Sequence, residues 1–220
     1  MKKYFFIALG ILTSSPFLFA QPEKTKYPEP EFSNEVYYLK KDSINTAVRL
    51  EKGSSKMESK TKMGGMGGSE SGYILDGEKS IVRLKTGSSL SFIISKGGGR
   101  ASSSPQADSM MKANGIDPAS MGDMMGGMND PASTITLYKA ESSKGKRKIL
   151  MMKAPGMSPF GSKKMQSSDK YTFSVKKVRD GYWELVIDKT LPKGEYAFSM
   201  MGMGVGNMDG STTLFAFGID

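Results

Sequence analysis

From residue 35 onward, apolar and polar residues alternate with a period of two, and turn signals interrupt the alternation at short intervals. The clearest example is a pair of segments, 171–175 and 182–187, joined by Asp180-Gly181. In the second segment Trp183 and every second residue after it would fall on one face, as in a half-buried strand. An Asp-Gly dipeptide between two such segments predicts a β-hairpin. A chain with this pattern is expected to fold as β-sheet.

The same pattern predicts about nine to eleven short strands and little helix. The other predicted strands are 36–40, 44–50, 56–63 as an edge strand, 73–75, 80–85 paired as a hairpin with 88–95, 134–138, 146–152, 195–198 and 213–217. Many short strands with turns between them favour an all-β fold, here an antiparallel β-sandwich with long loops rich in Met, Gly and Ser. The chain has no Cys, so no disulfide stabilises this sandwich.

One long insertion interrupts the strands at 96–133. It is expected to hold one or two short helices, because Ser104-Pro105 and Asp117-Pro118 each place an N-capping residue before a proline. Gly115 fits the end of the first helix. With this insertion, residues 34–220 are predicted to form a single β-sandwich domain.

The first 20 residues have the features of a secretory signal peptide. Lys2 and Lys3 precede an apolar stretch at 5–12 that is too short to span a bilayer, and cleavage is expected after Ala20. The segment 21–33 follows as an extended, proline-containing leader. We therefore expect an exported protein, periplasmic or extracellular, of a Gram-negative cell envelope. No transmembrane segment is expected to remain after signal cleavage.

Several turn-and-strand patterns resemble those of small exported β-rich proteins of Bacteroidota. They are Leu191-Pro-Lys-Gly-Glu-Tyr-Ala-Phe198, Leu214-Phe-Ala-Phe-Gly-Ile-Asp220, Tyr73-Ile-Leu-Asp-Gly77 before 80–84, and Gln21 directly after the expected cleavage site. The resemblance covers roughly half of the mature chain. It implies an exported β-sandwich but no activity, because those proteins are uncharacterised. The Met- and Gly-rich insertions depart from the pattern.

The absence of His and Cys removes several classes of function. A Ser-His-Asp hydrolase and a Cys protease are excluded, and the usual general base and zinc ligand are missing. We therefore predict a protein that is not an enzyme. Removal of Lys2 and Lys3 lowers the formal net charge from +9 to +7, an excess that favours anionic partners. No aromatic-interleaved basic patch is present, so the predicted partner is a protein or envelope component rather than nucleic acid.

Methionine is the most unusual component of the chain, with 18 residues concentrated in Gly-rich clusters. The clusters fall in 57–66, 110–128, 151–165 and 200–208, between predicted strands, so they are expected to be loop rather than core features. Met is a flexible apolar side chain and a thioether ligand for soft metals. The clusters are therefore interpreted either as compliant loops and adaptable apolar surface or as a soft-metal site.

The first interpretation leads to the favoured function, a non-catalytic binding or structural module. Met side chains repack at low cost, which suits a surface that accepts a peptide or an exposed strand of a partner. The residues assigned to this partner surface are Met63, Met66, Met110 and Met111. In a simpler version the loops only cover one end of the sandwich or each other.

The alternative is a periplasmic Cu(I) or Ag(I) protein that uses thioether ligands. Four Met residues in the insertion have helical i, i+3, i+4 and i+7 spacing, which would place their sulfurs on one face. The candidate ligands are Met121, Met124, Met125, Met128, Met200, Met201, Met203 and Met208. Two observations oppose the metal: the chain has no His, and the acidic residues near these clusters are hard ligands. No other cofactor is predicted.

A second alternative is a glycan-active or glycan-binding sandwich. Such an enzyme needs a pair of carboxylates, and the candidates are Glu184, Asp188 and Glu195. Trp183 is the only tryptophan, so an extended aromatic platform for sugars is not expected.

Overall fold

The computed structural model describes residues 26–62, 67–86, 89–96, 109, 112–115, 130–156, 164–200 and 210–220 of the chain. Within these residues there are fourteen strands and one short helix. The elements are β1 (Val36–Lys40), β2 (Thr46–Arg49), β3 (Glu51–Lys56), β4 (Glu58–Thr61), β5 (Gly68–Asp76), β6 (Arg83–Leu84), β7 (Ser91–Ser95), α1 (Pro131–Thr134), β8 (Ile135–Ser143), β9 (Lys146–Pro155), β10 (Lys170–Tyr171), β11 (Phe173–Arg179), β12 (Tyr182–Ile187), β13 (Gly194–Met200) and β14 (Ser211–Ile219).

These strands form two sheets that pack face to face, which confirms the predicted all-β sandwich. The small sheet has the order β11-β12-β7-β1-β2, and the large sheet has the order β3-β14-β13-β8-β9-β5-β4. β10 pairs with β8, and β6 pairs with β14 in the only parallel pairing among the described strands. All other described pairings are antiparallel.

The large sheet curls round until its two ends meet. β3 and β4 are separated only by Met57, yet β3 pairs with β14 and β4 pairs with β5 at the opposite end of the sheet. The segment 51–61 therefore acts as one bent strand that joins both ends of the strand order. The Ile74 N–H donates a hydrogen bond to Ser55 Oγ across this junction, with an N–O distance of 2.8 Å. We call the curled large sheet the roll.

Aromatic side chains fill the space between the small sheet and the roll. The Phe92 ring of β7 lies 4.9 Å from the Phe198 ring of β13 and 5.0 Å from the Phe217 ring of β14. Val36, Leu137 and Leu185 are fully buried in the same cluster. Alternation along each strand accounts for this arrangement, because every second residue points into the shared core.

A second apolar core fills the roll. Large side chains alternate with small ones in this interior, which lets the narrow space be filled without voids. The buried members are Tyr73, Leu75, Tyr138, Ala140, Ile149, Ala197, Leu214 and Ala216. Two glycines permit the close packing: a Cβ at Gly53 would overlap with the Leu75 side chain, and a Cβ at Gly72 would overlap with the carbonyl oxygen of Ile149.

One end of the roll is closed by a buried ion pair. Arg147 is 1% exposed, and its guanidinium donates to both carboxylate oxygens of Glu51 and to the carbonyl oxygens of Asp76 and Gly77. Burial raises the pKa of Glu51, but the hydrogen bonds and charge of Arg147 outweigh it and the net pKa lies below the ordinary value. The basic run Lys144-Gly-Lys-Arg-Lys148 predicts a solvated turn from its sequence, and for the buried Arg147 that prediction is wrong.

The predicted hairpin between 80–85 and 88–95 is also wrong. β6 pairs in parallel with β14 of the roll, whereas β7 pairs with β1 and β12 of the small sheet. The chain therefore crosses from the roll to the small sheet between β6 and β7, and the Ser80 N–H before β6 donates to the buried carboxylate of Glu195. Apolar–polar alternation in the sequence identifies a strand but not the strand with which it pairs. The local sequence therefore does not indicate this crossing. The hairpin of β11 and β12 is confirmed, with Gly181 at φ 71° in its turn.

Ser109, Lys112 and Ala113 are helical, as expected for the first helix of the insertion. The one helix of the insertion whose bounds are described, α1, has a start with the predicted chemistry at an unpredicted place. In α1 the Asp130 carboxylate accepts a hydrogen bond from the Ala132 N–H, and Pro131 occupies the first helical turn. The same Asp-Pro signal predicted a helix start at Asp117, which lies outside the described residues. Gly115 has φ 74°, as expected for a position that ends a helix.

The two glycines of the roll provide a ranked test of its closure. Gly72→Ala is expected to lower the free energy of unfolding by about 2–4 kcal/mol, because its new Cβ meets a backbone carbonyl. Gly53→Ala is expected to cost about 1 kcal/mol, because it meets only a side-chain methyl that can rotate. Urea unfolding of both variants measures the difference, and equal costs would contradict the packing of β3 against β5.

Candidate functional site

Seven strand ends of the roll meet at one end, opposite the Arg147–Glu51 pair. The β ladders establish this, because antiparallel partners in register lie side by side. The paired residues are Lys56 with Ser211, Met200 with Ile135, Gly68 with Pro155, and Thr61 with Ser69. We call this end of the roll the Met end.

The strands that precede the Met-containing segments 63–66, 157–163 and 201–209 end at the Met end. These three segments are gaps in the described chain. The gap between Lys96 and Asp130 returns through α1 into the start of β8, and the Lys96 Nζ donates to Thr134 Oγ1 over 3.0 Å. That hydrogen bond holds the first residue before this gap next to the helix that follows it. Burial lowers the pKa of Lys96 at this position.

Most of the predicted site residues lie inside these gaps and so outside the described residues. They are Met63, Met66, Met110, Met111, Met121, Met124, Met125, Met128, Met201, Met203 and Met208. The structure brings together the strand ends from which the chain segments that carry these residues leave.

Met200 is the exception, and its assignment to a loop is wrong. It is the last residue of β13 and is 3% exposed in the core between the two sheets. Met151 and Met152 belong to β9, as the predicted strand 146–152 has it, and not to the loop in which the Met-rich segment 151–165 placed them. Because Met can fill an irregular gap at the end of a core, packing explains Met200 without a metal.

Exposed Met side chains are present in the described part of the chain near the Met end. Met57 lies at the bend between β3 and β4 and is 49% exposed; Met165 is 63% exposed and adjoins Gln166, which bridges to Lys153 of β9. Met152 in the second half of β9 is 42% exposed. The sequence placed these residues in Met-rich segments, but only the ladders reveal that they share one end of the roll.

The three candidate carboxylates for a glycan-active site do not form a pair. Glu184 lies on the face of the small sheet that points away from the shared core. Glu195 lies on the face of β13 that points into the roll, the same face as Ala197. Both sheets therefore separate these two side chains. Asp188 is exposed and accepts a hydrogen bond from Ser174 Oγ over 2.6 Å. Trp183 is partly buried and packs against the core between the sheets.

Glu184 instead anchors the segment before β1. The Tyr27 hydroxyl donates to Glu184 Oε2 over 2.6 Å, and Lys41 Nζ lies 2.7 Å from Oε1. The Tyr182 hydroxyl donates to the Pro28 carbonyl oxygen. Burial raises the pKa of Glu184, but hydrogen bonds from Lys41 and Tyr27 outweigh it, so the net pKa is lowered. An ionised carboxylate that pairs with Lys41 and accepts from Tyr27 is suited to holding this segment rather than to acid–base chemistry.

A groove of about 540 Å³ opens where β10 and the residues before it separate β8 from β9. It contains side chains of both charges and is lined by Glu70, Glu141, Lys148, Leu150, Lys153, Gln166 and Ser167. Lys148 Nζ lies 2.7 Å from Glu70, and its hydrogen bond and charge lower the pKa of that carboxyl. A catalytic acid needs a raised pKa, so Glu70 does not have the expected property of one.

Lys148 and Arg147 both belong to the basic run 144–148, whose sequence fits either a solvated turn or contact with anionic glycan or lipid headgroups. Their ion pairs with Glu70 and Glu51 leave only part of this run available to an anion. Among the described residues, no group of three or more acidic side chains is placed to hold a metal ion.

Replacement of Met200 tests its role in packing. Met200→Ala is expected to lower the free energy of unfolding by about 2–4 kcal/mol through the cavity it creates, whereas Met200→Leu is expected to cost less than about 1.5 kcal/mol. Urea unfolding measures both, with the exposed Met165→Ala as the matched control within about 0.5 kcal/mol of the parent. A near-neutral Met200→Ala would show that this side chain lies outside the core.

The contribution of Glu184 to the free energy of unfolding is expected to depend on pH. Because folding lowers its pKa, the carboxylate stabilises the protein above its unfolded pKa of about 4.3, and that stabilisation is lost as pH falls through the folded value. Glu184→Gln is therefore expected to cost about 1–3 kcal/mol at pH 7 and progressively less below about pH 4. Unfolding free energies across this range measure the change, with the exposed Glu58→Gln as control. A cost that stays constant with pH would contradict the ionised anchor.

No helix among the described residues is long and apolar enough to span a membrane. The chain matches no known family model, and no curated protein or solved structure matches it. The sandwich, the roll and the Met end are thus the structural features that bear on the function of this protein.

Proposed function

We propose that the protein is an exported, non-catalytic binding or structural module of the cell envelope, with an adaptable apolar surface made by its Met-rich segments. The observation that carries this proposal is that the strand ends flanking the Met-containing segments lie together at one end of the roll. Segments far apart in sequence contribute to a single surface when their bases lie together on a rigid scaffold.

The chemistry of the Met end supports an apolar contact surface. Exposed Met57, Met152 and Met165 already supply thioether side chains near it. Met adapts to differently shaped partners because three rotatable bonds let it repack. The two cores and the buried Arg147–Glu51 pair keep the strands beneath this surface fixed, so adaptation is confined to the segments that the strands carry.

A soft-metal function is the second candidate, and the same arrangement of strand ends favours it. A thioether cage for Cu(I) or Ag(I) needs sulfur atoms from several segments to meet at one point. The ligands would come from Met121, Met124, Met125, Met128, Met201, Met203 and Met208. The core position of Met200 removes one residue from this set of candidates.

The two candidates make different predictions for residues 21–220 with Met121, Met124, Met125 and Met128 replaced together. Leu keeps the apolar surface but removes the sulfur, whereas Ser removes both. For an adaptable apolar surface, the Leu variant is expected to bind the fluorescent apolar dye ANS within about twofold of the parent, and the Ser variant several-fold more weakly. Ile81→Ser is the matched control, because Ile81 is 84% exposed and its N–H donates to Glu51 at the other end of the roll.

An anaerobic Cu(I) titration against a competing chelator separates the second candidate. Stoichiometric Cu(I) binding tighter than about micromolar in the parent, lost in the Leu variant, would establish the metal site and replace the first proposal. Equal dye binding by the Leu and Ser variants would contradict the apolar surface.

A further inference from the structure

The segment that precedes β1 lies across one face of the small sheet, the face that points away from the shared core. We call this face the outer face. A buried apolar cluster lies on it and consists of Tyr37, Leu39, Ile93 and Tyr182. Tyr27 packs against this cluster, so the described part of the leader, residues 26–33, contacts an aromatic surface.

Side chains, and not a β ladder, hold the leader on the outer face. Among the described residues, no backbone–backbone hydrogen bond joins 26–33 to the small sheet. The nearest one downstream runs from the Asn34 N–H to the Ser95 carbonyl oxygen over 2.6 Å. Asn34 has φ 61°, in the left-handed region, at the turn between the leader and β1. The leader is therefore attached to the sheet as a separate segment.

The outer face recognises the first half of the leader through a phenol and a proline carbonyl. The Tyr27 hydroxyl donates to Glu184 Oε2 over 2.6 Å, and its ring meets the Tyr182 ring edge-on at 6.1 Å. The Tyr182 hydroxyl donates to the Pro28 carbonyl oxygen over 2.5 Å. Aromatic side chains that contact an extended proline-containing chain in this way are typical of peptide-binding grooves.

The second half of the leader is recognised through charge and through an aromatic ring. Arg179 pairs with Glu29, and the Arg49 guanidinium lies 4.4 Å from the centre of the Phe32 ring. The Phe32 N–H donates to the Tyr37 hydroxyl oxygen over 3.0 Å. Residues 27–32 contain two Glu and no Lys or Arg, so their charge is complementary to the two arginines that border them.

The leader itself stays largely in contact with solvent. Lys26, Glu29, Glu31 and Phe32 are exposed, and Pro28 is only half-buried. A segment with few buried contacts and no backbone ladder opens at a lower free-energy cost than the sheet beneath it. The outer face thus has the contacts of a peptide-binding site, and the segment that fills it is the one least firmly held.

We propose that the outer face is a docking site for an extended, acidic, proline-containing segment of another protein, and that the leader occupies this site in cis. The segment that fits has a tyrosine followed by Pro and Glu. Glu184 accepts from its phenol, Tyr182 donates to its proline carbonyl, and Arg179 pairs with its carboxylate. This inference concerns the small sheet and does not depend on the function proposed for the Met end.

A fluorescein-labelled peptide with the leader sequence 26–33 tests the site in trans. In residues 21–220, Tyr27→Ala, Glu29→Ala and Phe32→Ala together remove the leader's contacts and leave the outer face unchanged; we call this the released variant. Fluorescence anisotropy is expected to give a Kd of about 10–100 µM for the released variant. The parent is expected to bind at least about tenfold more weakly, because a tethered competitor acts at an effective concentration of about millimolar.

The specificity of the site is tested by removing one hydroxyl from each face of the small sheet. Tyr182→Phe in the released variant keeps the ring but loses the donor to the peptide carbonyl, and is expected to weaken binding about three- to tenfold. Tyr38→Phe is the matched control, because Tyr38 packs against the shared core on the opposite face, and is expected to change binding less than about twofold. Equal effects of the two changes would refute the docking site.

Urea unfolding shows whether the released variant is folded, and Tyr27→Phe alone is the milder replacement for it. That change removes only the hydroxyl that donates to Glu184, and is expected to tighten peptide binding about two- to fivefold relative to the parent. No binding to a folded released variant, or no effect of Tyr27→Phe, would overturn the proposal. A dimer of the parent in sedimentation that disappears in the released variant would assign the site to a second copy's leader and equally contradict it.

Discussion

The roll exists because one bent strand pairs with both ends of the large sheet. The segment 51–61 contacts β14 through its first half and β5 through its second, with Met57 at the bend. This closure creates the inner apolar core and brings Glu51 to Arg147. It also sets the strand ends side by side at the Met end. Without it, β14 and β5 would be ends of an open sheet, and the Met-containing segments would leave from separate places.

Buried carboxylates in this protein are used to hold elements in place. Glu51 accepts from Arg147 inside the roll, Glu195 accepts from Arg83 and the Ser80 N–H, and Glu184 accepts from Tyr27. Each carboxylate is buried together with groups that donate hydrogen bonds to it, which limits the free-energy cost of removing its charge from water. The consequence for function is that none of these three is left as a free acid or base. A binding or structural role would therefore depend on the surfaces of the protein.

The Met end is formed by strand ends from which the Met-containing segments leave, and two apolar cores hold these strands in place. Adaptable apolar side chains suit partners of different shape. A surface of such side chains on a fixed scaffold would combine a constant position with a variable fit.

Alternation and turn residues by themselves determined that the chain forms short antiparallel strands, and they placed β1 at its observed bounds and the hairpin of β11 and β12 at Gly181. The period of two reflects local side-chain geometry, so it can be read along the chain. Which strands pair is a non-local choice, and only the tertiary structure decided it. Parallel pairing of β6 with β14, burial of Arg147 and of Met200, and closure of the roll all depend on contacts between residues distant in sequence. Burial of apolar surface between these distant residues, rather than any local conformational preference, selects the strand pairings.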